Sequence, residues 1–182
     1  MIEIYRLLTR WWTAFALAAS LAMLAGAHAF ERFGGLAPCN LCLKQREVYW
    51  GAVAVAGVAT LWAVVSRASR GTPRVASFLL GVIFITGAAT AVFHMGGEYG
   101  WWTLPASCMG TGEAADLSSL KALALGDGPV TAIPSCGDVA WSFLGVSMAG
   151  WNALVSAGLA VFSLLAAKRP KDARAPRGAA NV

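Results

Sequence analysis

Four apolar runs decide what this chain can fold into. They span Trp11–Phe30, Val48–Val65, Val75–Phe93 and Trp141–Ala167. Each is close to or above the length of about 20 residues that a helix needs to cross a bilayer core. Inside lipid, backbone N–H and C=O groups find no water, so a segment of this kind must bond to itself as a helix. The expected fold class is therefore all-α: an integral membrane four-helix bundle, with spans at about 11–30, 48–65, 75–94 and 141–167. Residues 1–167 read as one membrane domain. Lys168 to Val182, basic and broken by Pro170 and Pro176, reads as a disordered tail. The composition agrees: 58% of residues are hydrophobic and 13% charged, against about 25% charged in soluble domains.

The competing reading of the first run is a cleaved signal peptide. Arg6 and Arg10 would be its basic start, and Ala25-Gly26-Ala27 or Ala27-His28-Ala29 its small-residue site. Both readings place residues 31–42 across the membrane. In the second run Ala52, Ala56 and Ala59 recur at helical spacing, which lets neighbouring helices approach closely. Residues 95–140 form a long polar loop. Within it 114–125 has Leu117, Leu120 and Leu123 on one face, Asp116 as N-cap, and a stop at Gly126-Asp127-Gly128-Pro129. This predicts a short amphipathic helix lying on the membrane surface.

Charge sets the expected orientation. The N-terminus, the 66–74 loop and the tail share one side and hold ten of the fourteen Lys and Arg residues. Seven of the nine acidic residues lie on the other side. Cytoplasmic loops collect Lys and Arg, so both termini are expected in the cytoplasm. The net charge of +5 is then a topology signal and gives no reason to expect nucleic-acid binding.

All four cysteines, Cys39, Cys42, Cys108 and Cys136, fall on the outer side, where disulfides persist. Four cysteines allow three pairings. A Cys39–Cys42 ring is too small to be a useful staple, whereas a Cys-x-x-Cys pair at a helix start has thiolate-forming chemistry. Arg46 lies one turn beyond Cys42, about 6 Å along the axis. It can stabilise a thiolate or donate to a carbonyl oxygen of a membrane ligand; the plain alternative is a snorkelling anchor. Glu47 pairs with Lys44 on this reading, as a rim charge. Zinc is the rival for Cys-x-x-Cys, but no second clustered pair follows to complete four ligands, so no metal is expected. Cys108 and Cys136 either pin their loop as a static disulfide or form an exchangeable one. His94 ends the third span at the depth of Cys42 and Arg46. It can bond a ligand carbonyl, relay a proton, or simply be satisfied by Glu98 one turn on. His28 reads as a packing residue, and Trp101 and Trp102 as interface anchors.

Taken together, Pro38-Cys39-Asn40-Leu41-Cys42 with Arg46, the pair Cys108 and Cys136, Phe93-His94-Met95-Gly96-Gly97-Glu98-Tyr99-Gly100-Trp101-Trp102 and Ser147-Met148-Ala149-Gly150-Trp151-Asn152 resemble the DsbB family of bacterial disulfide-bond formation proteins. The resemblance covers about residues 10–167. It implies a multi-pass protein of the bacterial inner membrane with periplasmic cysteine loops. It implies that a reduced DsbA-like periplasmic partner attacks a Cys108–Cys136 disulfide at Cys108, and that Cys136 then exchanges with Cys39. Cys42 would pass the electrons to ubiquinone or menaquinone, held by Arg46 and His94. Three rivals stand beside this reading, one a related enzyme and two of another kind. A vitamin K epoxide reductase-like enzyme carries its redox pair on a later helix. A scaffold with two static disulfides needs no reactive thiol. A transporter needs ionisable residues inside the spans, which are nearly absent here.

The charge argument has a direct test. In reduced spheroplasts an impermeant maleimide applied outside should label the cysteines. Applied to inverted vesicles it should label none, and any labelling from that face contradicts the orientation.

Overall fold

The computed structural model describes residues 8–66, 72–108 and 134–168. Four helices are long and apolar enough to cross a membrane: α1 (Trp12–Gly34), α2 (Asn40–Val65), α3 (Arg74–Glu98) and α4 (Met148–Lys168). Their 21 to 26 residues make rods of about 32–39 Å. The expected all-α membrane bundle is thus observed. The surface helix expected over 114–125 and the tail beyond Lys168 lie outside the described residues.

The helix ends differ from expectation where polar residues continue a helix past the lipid. The loop expected over 31–42 shrinks to residues 35–39. Helix α1 runs on until Gly35, whose φ of 66° closes it with an N–H bond to the Phe30 carbonyl, a left-handed stop that suits glycine. Pro38 follows, and Cys39 in extended conformation caps α2. Helix α2 therefore starts eight residues before the expected span, because Asn40 to Glu47 contain no helix breaker.

The fourth apolar run divides. Trp141–Ala167 is not one helix, since Ser142–Phe143 (β1) and Val146–Ser147 (β2) pair antiparallel as a small hairpin. Its turn residues Leu144 and Gly145 have φ of 52° and 76°, the doubly positive pattern of the favoured two-residue hairpin turn. A hairpin and a buried helix are not separable by apolar content alone. Ser147 then starts α4: its Oγ accepts the Gly150 N–H at 3.1 Å, as an N-cap should.

The broadest interface joins α3 and α4, with α1–α2 and α2–α3 next. Lipid gives no hydrophobic drive between helices, so close packing and interhelical hydrogen bonds must hold them. Small residues line the seams: Ala16, Ala52, Ala56 and Ala91 are fully buried around Leu80 and Phe84. The Ala52/Ala56/Ala59 stripe packs as its spacing predicts. Polar bonds cross between helices, from Trp12 Nε1 to Ser163 Oγ (2.8 Å) and between Thr13 and Thr60 hydroxyls (2.9 Å). Each such bond contributes about 0.6 kcal/mol on average.

After α3 the chain reverses. Trp102 folds back, donates from Nε1 to the Phe93 carbonyl at 2.9 Å and stacks on the Phe93 ring. It is therefore a packing residue of the site's rim as well as an aromatic at the helix end. A Cβ at Gly96 would lie 2.0 Å from the Trp102 ring, and one at Gly97 2.5 Å from Leu104. These two glycines let the return strand lie against the helix and deliver a 3-10 turn, Ala106–Cys108, to the start of α2. Gly96→Ala must displace Trp102, at a cost of about 1–3 kcal/mol. The expected result is a red-shifted tryptophan emission and faster alkylation of Cys108; wild-type values for both would contradict this packing.

Candidate functional site

The site begins with the cap of α2. Cys39 Sγ accepts the Cys42 N–H at 3.3 Å and touches Cys42 Sγ at 2.8 Å. One sulfur is thus the cap itself, and the other sits in the first turn. All four cysteines are free thiols here. Cys39 is 4% exposed, and Cys42 is half-buried.

The long loop brings the second pair to the first. Asn40 Nδ2 donates to the Ser107 carbonyl, and the Cys136 N–H donates to the Cys108 carbonyl at 2.8 Å. Cys39, Cys108 and Cys136 form one buried cluster with Cys42, Leu41 and Leu104 against it. Cys136 packs beside both Cys39 and Cys108 in this cluster. Spacing in the sequence carries no information about this three-sulfur contact.

The third contributor is α3. His94 is buried, with Nε2 3.7 Å from Cys39 Sγ and 3.8 Å from Glu98 Oε1. Its Nδ1 lies 3.0 Å from the Gln45 side-chain amide. Gln45 in turn accepts from Asn152 Nδ2 at 2.5 Å, and Asn152 Oδ1 accepts from the Tyr49 hydroxyl at 2.6 Å. A chain of buried polar groups therefore runs from mid-bundle to the Cys39 sulfur. Glu98 Oε1, the partner that one reading of the sequence expected for His94, lies at 3.8 Å, beyond hydrogen-bond reach; the ring is partnered by Gln45 and faces a cysteine. Gln45, Asn152 and Tyr49 were not singled out in the sequence. The available signal was the cost of Gln45 and Asn152 inside otherwise apolar helices.

Arg46 points the other way. Its Nη1 donates to Glu31 Oε2 at 2.5 Å and its Nη2 to the Ala27 carbonyl at 3.1 Å, both on α1. Its side chain is only 15% exposed, so it is not a freely snorkelling anchor. His28, expected to pack, is instead half exposed beside Glu31 at 3.7 Å; it lies on the outer face of α1. Lys44 and Glu47 pair at 2.9 Å at the rim, as expected.

Burial and neighbouring sulfurs hold the Cys39, Cys108 and Cys136 thiols protonated. Contact with Cys42, then burial, pushes the Cys39 thiol up to about 12. Burial, then Cys136, pushes Cys108 up to about 11. Burial also raises Cys136. Such a cluster can pass disulfides among its members only as each thiol loses its proton in turn.

Known proteins agree with this picture. The profile of the family described as "Disulfide bond formation protein DsbB" matches residues 9–166. The chain belongs to the DsbB family. A disulfide bond formation protein B of Methylococcus capsulatus is 35% identical over 154 residues, 79% of this chain and 85% of the relative. Disulfide bond formation protein B 2 of Pseudomonas putida is 32% identical over 148 residues, 80% and 82% of the two chains. The Marinobacter nauticus protein is 29% identical over 171 residues, 90% and 96%. No solved structure matches. Membership of the DsbB family makes this a multi-pass membrane protein of disulfide bond formation, an oxidoreductase by class.

The raised thiols set a pH dependence. With the protein fully reduced, thiolate is scarce at neutral pH, so alkylation of Cys108 should accelerate about tenfold per pH unit up to about pH 11. Cys39 should follow the same slope up to about pH 12. Peptide-resolved mass spectrometry with iodoacetamide reads both, and a plateau below pH 9 would contradict the burial of these thiols.

Proposed function

We propose that this protein oxidises a DsbA-like periplasmic dithiol protein and delivers the electrons to a membrane quinone, ubiquinone or menaquinone. It would do so from the bacterial inner membrane, with both termini in the cytoplasm and the cysteine loops outside. The observation that carries the reading is the contact of Cys136 with both Cys108 and Cys39, which joins the two cysteine pairs into one exchange path. The charge distribution between the loops supports the orientation.

Each exchange step breaks one S–S bond and makes another. A partner thiolate attacks Cys108 of the Cys108–Cys136 disulfide and expels the Cys136 thiolate. Cys136 attacks Cys39 of the Cys39–Cys42 disulfide and expels the Cys42 thiolate. The partner's second thiol attacks the mixed disulfide and leaves oxidised, freeing Cys108. Cys108 attacks Cys136, restores the outer disulfide and releases Cys39. Two electrons and two protons then rest on Cys39 and Cys42. A bound quinone supplies an acceptor for them.

The residues at hand suit such a group. Arg46 spends two of its N–H groups on Glu31 and Ala27; a guanidinium has five, so donors remain for a carbonyl oxygen. Burial beside α1 at the edge of the bundle keeps that charge strong. His94 was expected at the quinone too. Both of its ring nitrogens are engaged: Nδ1 accepts from the Gln45 amide, so Nε2 carries the proton and faces Cys39, which supports a role in donating to the Cys39 sulfur and leaves the quinone oxygen to Arg46. The first turn of α2 favours the negative charge left on Cys42.

Purified protein, a reduced DsbA-type partner and a soluble ubiquinone analogue test this by quinone absorbance. Wild type should consume quinone, and Cys42→Ser should not rise above the uncatalysed rate. Arg46→Gln should raise the apparent KM for quinone about 10–100-fold, the loss of one charged hydrogen bond worth about 1.5–3 kcal/mol. Equal turnover by Cys42→Ser and wild type would instead favour a scaffold with static disulfides.

A further inference from the structure

The sequence argument against a metal was that no second cysteine pair follows Cys39 and Cys42. The fold supplies other ligands. Cys39 Sγ, Cys42 Sγ and His94 Nε2 all lie within 4.8 Å of one another. Glu98, one helical turn beyond His94, has its side chain 5% exposed and its Oε1 3.8 Å from Nε2. We propose that the reduced Cys39–Cys42 pair, with His94 and Glu98, is a binding site for a thiophilic divalent cation of the zinc class, and that occupancy holds the protein in its reduced, inactive state.

The spacing fits the ion. Zinc bonds of about 2.3 Å to sulfur and about 2.0–2.1 Å to nitrogen put tetrahedral S and N ligands about 3.6 Å apart. Cys39 Sγ and His94 Nε2 are 3.7 Å apart. The two sulfurs, at 2.8 Å, need to open by about 1 Å to the S–S spacing of the same tetrahedron; Cys42 is half-buried in a first helical turn and has that freedom.

The charge also fits. Glu98 Oε2 accepts from the Ser147 hydroxyl at 2.5 Å, whereas Oε1 has only the distant imidazole among the described residues. A buried carboxylate beside two ionisable thiols is a concentration of negative charge that a cation relieves. The outer support is already built. Metal-bound histidines direct their other nitrogen to a hydrogen-bond acceptor, and Gln45 lies 3.0 Å from Nδ1. An amide presents its carbonyl after a half turn; Asn152 can turn with it, since the Tyr49 and Ser156 hydroxyls beside it both donate and accept.

No electron moves on binding. One divalent ion enters and two thiol protons leave. The disulfide form of the pair has no thiolate to offer, so only the reduced state binds. The ion occupies both sulfurs that must release electrons, and turnover stops until it leaves. The inference rests on the proposed function in one respect, that Cys39 and Cys42 pass through the dithiol state in each cycle.

The test uses full-length protein in detergent, reduced with a phosphine and titrated with Cd2+, whose thiolate charge-transfer band reports binding. One equivalent should saturate the reduced protein, Zn2+ should displace it, and the oxidised protein should show no band. That comparison needs no substitution. His94→Ala and Glu98→Gln should each weaken binding at least about tenfold, and Gln45→Leu about tenfold. The double variant C108S/C136S should keep wild-type affinity. The site is rejected by a band that follows Cys108 and Cys136, by unchanged affinity in His94→Ala, or by no saturable band at one equivalent. Oxidase activity of the metal-free protein is read in parallel. Activity without Cd2+ binding rejects the metal site alone, and Cd2+ binding without activity rejects the oxidase reading alone.

Discussion

One sulfur ties α2, α3 and the long loop together. Cys39 Sγ caps α2, touches Cys42, faces His94 on α3 and meets Cys136 from the long loop. Its burial at 4% exposure follows from those three neighbours and from Cys108, Leu41 and Leu104 packed in the same cluster. A capping residue is normally chosen for a hard oxygen acceptor. Here a soft, reactive atom does the capping, so the start of the helix and the redox state of the site are coupled. The helix start has few alternatives, because Pro38 precedes it and Gly35 ends α1 just before.

Around that atom the bundle must be held without hydrophobic force. Alanines bring the helices close, and hydrogen bonds between helices specify which faces meet. The most extended set runs Tyr49–Asn152–Gln45–His94 and ends at Cys39. Buried polar networks rigidify only when each member is satisfied, and these members are. Among the described residues Ser20 and Ser77 hydroxyls are the buried side-chain groups without a partner, and both lie away from the site.

The spans and the Cys-x-x-Cys turn were legible in the sequence because both depend on local pattern. An apolar run long enough for lipid has one solution, and Cys-x-x-Cys after a loop proline has few. The stripe Ala52, Ala56, Ala59 was legible for the same reason, as a period along one helix. The hairpin at 142–147 was not, since Trp141, Phe143, Leu144 and Val146 look like the beginning of α4 until the positive φ at Leu144 is seen. Nor was the partner of Arg46. Glu31 lies fifteen residues earlier on another helix, and only the antiparallel packing of α1 on α2 brings them together. Contacts between helices carry no sequence period, so Gln45 and Asn152 were equally hidden.

The polar residues at the head of α2 show why register matters here. Successive residues on a helix point about 100° apart. Lys44 therefore reaches Glu47 at the rim, Gln45 reaches His94 and Asn152, and Arg46 reaches Glu31 and Ala27. Three neighbours in sequence serve solvent, the α3–α4 side and α1. The start of the helix at Cys39 determines all three directions at once. A shift by one residue would turn a charge into the core, where an unpaired ion is far costlier than an amide. The cap at Cys39 is thus also what turns Arg46 toward Glu31 on α1 and sets an uncharged amide, Gln45, beside His94 behind the thiols.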